Sequence, residues 1–356
     1  MSCSVGLENT SSNIANTAFL DIVRSPLVTF RLRIYHDRER ILERRLKNGN
    51  LGVKEKAETA DALAAHKRTF VQSIRHTQTV KMLSTRFPLL SPTIRAFKHW
   101  ASSHLFLPHL CEELLELFVC HVFLYPYPLL RTLDLLARWD WAHEPLILDF
   151  NDELSADAMA DVKNRFEAWR KLDPSMNIVS FFVASNLDPD GVTWTQFAKP
   201  PKVVAARVTA LAKAAMKPAK NQGTRLDVPS LFRSPLSDYD FVLHRNLSHV
   251  QRQKGKSLYK NIQEASAHEA VTGYRSVLAF VSDLNRLYGQ HMLLFHGDEQ
   301  TKVITGIWNP QAAKPKPFAL KRGYSSCPTR GDNGNGNEIT LNKTAILNLH
   351  KVEINR

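Results

Sequence analysis

The stretch HTQTVKMLSTRFPLLSPTIRAFKHWASSHLFLPHLCEELLELFVCHVFL, residues 76–124, decides how the rest of the chain is read. Ser91-Pro92 predicts a helix start, with Ser91 capping the free backbone N–H groups and Pro92 at the first helical position, where its missing N–H costs nothing. Downstream, Ile94, Phe97, Ala101 and Leu105 recur at helical spacing, while Arg95, Lys98 and His99 fall largely on other faces. After Pro108 a second helix carries Leu110, Leu114, Leu117, Phe118 and Val122, with Leu115, Val119 and Phe123 filling in around it. A helix that is apolar on most sides has neighbours on most sides. These two helices are therefore expected to form the core of a helical domain.

Working upstream, residues 1–18 are polar and read as a disordered N-terminus. Phe19 to Val23 and Val28 to Tyr35 read as strands, the second alternating apolar and basic residues so that one face is buried and one cationic. An Arg-rich helix is predicted from Asp37 to Leu46 and a longer one from Lys54 to Ile74, with Ala60, Leu63, Ala64, Lys67 and Phe70 on one stripe. No complete α/β module fits into residues 1–46; if these strands belong to a sheet, most of it lies before residue 1 or in another molecule, and the start of the chain reads as truncated.

Downstream, the expectation is a helix from Leu129 to Trp139, a short strand from Leu146 to Phe150, and a helix capped by Ser155 with Ala158, Val162, Phe166 and Trp169 on one face. A buried strand is expected over Ile178 to Ala184 and an Ala/Val/Leu helix over Val203 to Met216, with a linker from Pro218 to Pro229. Beyond it, YDFVLH (239–244), MLLFH (292–296) and KVITGIW (302–308) are strand-like and Val271 to Tyr288 helical, giving a compact α/β unit with a low-complexity tail over 325–337. The fold class read from this is α+β, mixed.

The chain has 356 residues, 44% hydrophobic and 23% charged, enough for two or three globular domains rather than a disordered chain. Its net charge is +13, which points to a polyanionic partner, nucleic acid before an acidic membrane surface. Cys3, Cys111, Cys120 and Cys327 show neither CxxC spacing nor a matching His pattern, so they predict reduced thiols and an intracellular protein rather than zinc or disulfides. The N-terminus lacks the pattern of a secretory signal, and no apolar run reaches membrane-spanning length.

Two turn-like motifs could imitate active sites. Asp188-Pro189-Asp190-Gly191 is a DxD that could hold metal ions for nucleotidyl transfer, but proline between the acids and glycine after them fit a turn better. His296-Gly297-Asp298-Glu299 lacks a second histidine at ligand spacing and also reads as a tight turn. His99, His104 and His109 step by five and share no helical face. No GxSxG, Walker-type or GxGxxG sequence is present. No catalytic, cofactor-binding or metal-binding residue is expected.

The basic residues are more informative. No Asp or Glu occurs from Gly191 to Leu226, from Phe241 to Gln263, or from Gln300 to Gly331, whereas lysines and arginines recur in all three tracts. Lys202, Arg207, Lys213, Arg252, Lys254 and Lys256 are the candidate RNA contacts, with Trp194, Tyr259 and Trp308 as candidates for stacking on unpaired bases.

Several segments together resemble one family, the nucleolar RNA-associated protein (Nrap) family. They are FRLRIYHDRE (30–39), HTQTVKMLSTRFPLLSPTIRAFKHW (76–100), EELLELFVCHVFL (112–124), LLRTLDLLARWDWAHEPLILDF (129–150), DGVTWTQ (190–196), SPLSDYDFVLH (234–244), LYGQHMLLFHGDEQTKVITGIWNP (287–310) and NEITLNKTAILN (337–348). They occur in family order and match its C-terminal third. The resemblance implies a remnant of a nucleotidyltransferase-like sheet over 19–46. It further implies a helical poly(A)-polymerase/oligoadenylate-synthetase-like domain over 54–217, a linker at 218–229, a C-terminal α/β domain over 230–327 and a divergent tail over 328–356. The chain departs from the family in a shorter loop between Tyr127 and Leu129 and in the residues after Asn348.

By the same resemblance, the expected role is a non-catalytic, RNA-associated scaffold of the small-subunit processome, nucleolar, acting in pre-rRNA processing and 40S ribosome biogenesis. Its expected partners are pre-rRNA and other processome proteins, with no membrane, no small-molecule substrate and no cofactor. The competing readings are a template-independent nucleotidyltransferase and a protein-interaction fragment that never touches RNA.

Overall fold

A computed structural model describes residues 2–8, 14, 16–25, 28–35, 37–47, 51–123, 128–151, 153–191, 193–194, 200–222, 227–244, 276–298, 301–312, 314–317, 326–328 and 338–347. It is mixed α and β, and the chain divides into two compact units, residues 1–101 with 109–232 and residues 102–108 with 233–356.

The first unit opens on an antiparallel meander, β1 (Ser2–Glu8), β2 (Thr17–Ser25) and β3 (Val28–Arg33), in spatial order β1-β2-β3. The expected disordered N-terminus is corrected here: residues 2–8 pair along their whole length with Thr17–Val23. A strand is stabilised by its cross-strand partner, here β2, which the composition of residues 2–8 alone does not show. On one face Asp21, 3% exposed, takes a two-pronged ion pair from Arg31 (2.8 Å at each oxygen), and the Arg31 guanidinium also lies 3.7 Å over the Phe19 ring.

Helix α1 (Arg38–Lys47) packs on α2 (Val53–Lys67), which continues through a π turn (Arg68–Gln72) into α3 (Ser73–Arg86). The predicted stripe of Ala60, Leu63, Ala64, Lys67 and Phe70 is corrected. The buried stripe is Thr59, Ala62, His66 and Phe70, and Lys67 instead reaches Glu39 and Glu43 of α1. Thr59 is tolerated in the stripe because its hydroxyl donates to the Glu55 carbonyl at 2.7 Å.

Helix α4 (Leu90–Ser103) starts before its predicted cap. Leu90 N–H already donates to Phe87 O, and the Ser91 hydroxyl accepts from Arg95 instead of capping. Pro92 still lies in the first turn, where no intrahelical donor is needed. Phe97 stacks on Trp100 at 5.5 Å, and both are fully buried. Helix α5 (Glu112–Val122) buries Leu114, Leu115, Leu117, Phe118, Val119 and Val122, as its apolar sequence requires. Phe118 meets Trp141 and Phe181 edge-on at 5.9 and 5.8 Å.

Helix α6 (Pro128–Arg138) leads to β4 (Leu146–Leu148), and α7 (Ala156–Leu172) begins where the Ser155 hydroxyl accepts from Ala158 N–H, the predicted cap. The expected strand over 178–184 is shorter: only β5 (Val183–Ser185) pairs, in parallel with the three residues of β4, while Val179–Phe182 are buried without a ladder. A three-residue partner sets the length of the pairing. Helix α8 (Lys202–Gln222) overruns the expected linker start, passing Pro218 before it ends. Proline there removes one helical hydrogen bond near an end.

In the second unit β6 (Phe241–His244), β7 (Met292–His296) and β8 (Val303–Trp308) form an antiparallel sheet of order β6-β8-β7, and α9 (Ser276–Tyr288) packs on β7. Short strands β9 (Lys316–Pro317), β10 (Ser326–Pro328) and β11 (Glu338–Leu341) make a second sheet of order β10-β11-β9. This corrects the divergent tail expected from residue 328. Glu338–Leu341 is a strand, and Ile346, 1% exposed, belongs to the core of Phe241, Val277, Val281, Leu284, Met292, Leu294, Ile304 and Trp308.

Candidate nucleic-acid interface

The acid-free tract from Gly191 to Leu226 folds largely into α8. Its buried side is made of Val204, Ala205, Val208 and Ala212, and the helix packs on α6. Lys202 and Lys213 lie about three turns apart and Lys217 one turn further, all on the opposite, exposed face. No carboxylate on α8 competes for them. Arg207, the third predicted contact on this helix, is half-buried and points toward a different side. Arg252, Lys254 and Lys256 lie outside the described residues, as does Tyr259.

Two of the three proposed stacking platforms, Trp194 and Trp308, are buried. Trp194 is 3% exposed, with the His76 ring 5.7 Å and the Arg68 guanidinium 5.4 Å away. Trp308 is 7% exposed, packs on Phe241 at 4.9 Å and is covered by the Lys343 ammonium at 5.4 Å. Both were placed near basic residues by sequence distance, but the fold buries each indole against other side chains. The exposed face of α8 is cationic and carries no aromatic side chain.

The two motifs that could imitate active sites are turns. Asp188, 4% exposed, has a carboxylate that accepts from Thr193 N–H at 2.9 Å, and its carbonyl accepts from Gly191 N–H at 3.0 Å. Gly191 has φ of 59°, the left-handed conformation that glycine adopts without strain. Asp190 points elsewhere and pairs with Arg165. The two carboxylates therefore serve different partners and do not converge on a metal-sized space. His296 Nδ1 lies 2.6 Å from the Gly297 carbonyl, and Asp298 closes the turn by accepting from Thr301 at 3.0 Å. A Cβ at Gly297 would come within 2.6 Å of the Ser102 carbonyl, so only glycine lets the chain pass.

A polar network that the sequence reading passed over joins α3, α4 and α5. Glu116 accepts from Lys98 at 2.6 Å and lies 2.7 Å from His76 Nε2, while Lys98 also reaches Glu112 at 2.8 Å. Burial would raise the Glu116 pKa, but the hydrogen bonds from His76 and Lys98 outweigh it and hold the carboxyl below the ordinary range. Burial likewise opposes the Lys98 charge, and Glu112 and Glu116 overcome it, raising that pKa. Histidine, lysine and glutamates tens of residues apart carry no local signal of such a cluster. Cys111 and Cys120 are pushed up to about 11 and about 12 by burial, which makes them inert thiols.

Three successive family models match the chain. They are Nrap protein nucleotidyltransferase domain 4 over residues 1–85, Nrap protein PAP/OAS1-like domain 5 over 87–234 and Nrap protein domain 6 over 236–352. U3 small nucleolar RNA-associated protein 22 of Schizosaccharomyces pombe is 30% identical over an alignment covering 90% of this chain and 30% of that protein. The Saccharomyces cerevisiae protein of the same name is 30% identical across 92% of this chain and 31% of its own length. Human nucleolar protein 6 is 24% identical across 94% of this chain and 30% of its own length. The chain thus spans about 30% of the length of the curated relatives it matches. With consecutive domains matched from residue 1 to residue 352, the chain belongs to the Nrap family.

Proposed function

We propose that this chain acts as a non-catalytic, RNA-associated scaffold of the nucleolar small-subunit processome, in pre-rRNA processing and 40S ribosome biogenesis. The observation that carries the reading is the run of three Nrap domains, in order, shared with proteins named for U3 small nucleolar RNA and for the nucleolus. On this reading pre-rRNA lies against basic surfaces, among them the exposed face of α8 with Lys202 and Lys213. The apolar helical core around α4 and α5 gives those surfaces a rigid base. Arg207 and the 252–256 cluster are carried forward as contacts of the same proposal. So is the division into the end of a nucleotidyltransferase-like module, a helical domain over 54–217 and a terminal α/β domain, the last extended to include the core residue Ile346.

The non-catalytic part is supported by the commitment of Asp188 to a backbone N–H and of Asp21 to Arg31. The matched domain description over residues 1–85 names a nucleotidyltransferase, and this favours the competing reading strongly enough to warrant an assay. The chain incubated with RNA, nucleoside triphosphates and Mg²⁺ or Mn²⁺ is expected to extend nothing. Incorporation abolished by Asp188→Ala would replace the scaffold reading with an enzymatic one. For RNA, filter binding across a salt series is expected to give a log–log slope of about −2 or steeper, the value for three phosphate contacts to a single strand. A flat, weak response would leave only a protein-interaction role.

A further inference from the structure

Helix α1 has the sequence RERILERRLK and buries a single side chain, Leu42. Its two carboxylates turn toward α2, where Glu39 and Glu43 both reach Lys67 at 3.3 and 3.1 Å. Burial alone would lower the Lys67 pKa, but these two glutamates raise it, so all three charges are held on the inner side. Opposite Leu42 stand Arg40, Arg44 and Lys47, at i, i+4 and i+7, all exposed. Arg44 and Lys47 have no carboxylate partner among the described residues. Arg40 has only the exposed Asp37, at 3.6 Å.

Structural needs account for part of this pattern. Arg44 and Lys47 favour the negative end of the helix dipole, and Arg38 is tied to Asn16 by both its terminal nitrogens, Nη1 and Nη2. Beyond its exposed pair with Asp37, Arg40 has no such reason: it stands in the first turn, where the dipole disfavours a cation, and one turn from Arg44, which repels it. With its acids turned to Lys67 and three of its five cations outward, the helix presents a cationic ridge roughly 10 Å long. Two of its three groups are guanidinium forks, which match phosphate oxygens bidentately.

We infer that the outer face of α1 is an RNA-backbone contact, with Arg40, Arg44 and Lys47 gripping neighbouring phosphates of one strand. This rests on the RNA-associated reading above but uses a different element from α8. The test uses the full chain and a fluorescein-labelled oligouridylate, with binding followed by anisotropy from low to high KCl. The wild-type curve tests the RNA-associated reading by itself, and a flat curve ends both claims. Given a steep wild-type slope, Arg40→Gln/Arg44→Gln/Lys47→Gln is expected to make it shallower by about 2 and to weaken binding at 100 mM KCl on the order of tenfold or more.

A control with the same charge change on other exposed positions, Lys54→Gln/Arg75→Gln/Lys81→Gln, is expected to shift binding by about twofold or less. If the two triple variants behave alike, α1 is a solvated face and the inference falls, while the RNA reading stands. The single variant Arg40→Gln, expected to reduce the slope by about 0.7, keeps the test decisive should the triple variant misfold. Competition with polyglutamate identifies the partner class. If it displaces the protein's α1-dependent binding as well as RNA of equal charge does, the site is for acidic protein and the RNA assignment is overturned.

Discussion

Helices α1 and α5 are nearly equal in length, ten and eleven residues, and opposite in every other respect. Helix α5 buries six apolar side chains and uses its polar positions to hold neighbours, Glu116 taking His76 and Lys98. Helix α1 buries Leu42 alone and is fixed at its margins by Lys67 and Asn16. Most helical stability comes from tertiary packing of an apolar face. By that measure α5 exists for the core, whereas four of the ten residues of α1, Arg40, Ile41, Arg44 and Lys47, are exposed. The contrast separates the parts of the molecule that make it rigid from those free to meet a partner.

The hardest test of the contrast is Phe118→Ala. Phe118 is 0% exposed between Trp141 and Phe181, so truncation leaves a cavity walled by rings already held by other contacts. A loss of about 3–5 kcal/mol is expected, read as a lower urea midpoint by circular dichroism. A loss below about 1 kcal/mol would show that this core is loosely packed. The same deletion on the other helix, Leu42→Ala, should cost about 2 kcal/mol, at the low end for a buried leucine, because an edge site collapses more readily. Its effect should be local: faster hydrogen exchange across residues 38–47 with exchange in α5 unchanged. Slowed or equal exchange in α1 would mean that Leu42 does not anchor it.

The Glu116 network supplies a pH test of α5 that α1 cannot mimic. The folded pKa of Glu116 lies below its ordinary value of 4.5, so its contribution is complete above that value and is lost as pH falls through the folded pKa. His121, at the other end of the same helix, is depressed by burial below its ordinary 6.5. The unfolded chain takes up that proton first, and stability declines once pH drops below 6.5. Acid titration of the urea midpoint should therefore fall in two stages. Glu116→Gln should flatten the lower stage and itself cost about 1–2 kcal/mol near neutral pH, since Lys98 and His76 lose a charged partner. His121→Phe should flatten the upper one. An unchanged lower stage in Glu116→Gln would assign the acid sensitivity to other carboxylates.

How much of this was legible in the sequence follows the same division. The apolar pattern of α5, the Ser155 cap and the Asp188–Gly191 turn depend on neighbours within a few residues, and strands β6 to β8, though paired over long distances, carry an apolar, β-branched and aromatic composition, so each was readable. Strand β1 depends on pairing with β2, so residues 2–8 read as disorder by composition, and Ile346, left in the divergent tail, enters a core whose other members lie dozens of residues upstream. The stripe of α2 was misread because Lys67 answers to Glu39 and Glu43, a contact that helical spacing within α2 cannot reveal. Of the candidate RNA contacts, Lys202 and Lys213 share an exposed face, whereas Arg207 is half-buried and Trp194 and Trp308 are core. Counting charges marked three acid-free tracts. It could not say which side chains the fold would consume.

The smallest expected effect is the one that completes the comparison. Arg44→Gln on α1 removes an exposed cation with no carboxylate partner among the described residues, and glutamine keeps nearly the same helix propensity. The favourable interaction with the helix C-terminus is lost, while repulsion from Arg40 is relieved. These terms oppose each other and are each a few tenths of a kcal/mol, so the net change should stay within about 0.5 kcal/mol. A thermal melt of the variant should overlay that of the wild type. A clear destabilisation would mean that Arg44 is structural and that α1 belongs with α5 after all. If the melt is unchanged while the salt dependence of RNA binding becomes shallower, the residue's purpose lies outside the folded chain, as its position opposite Leu42 implies.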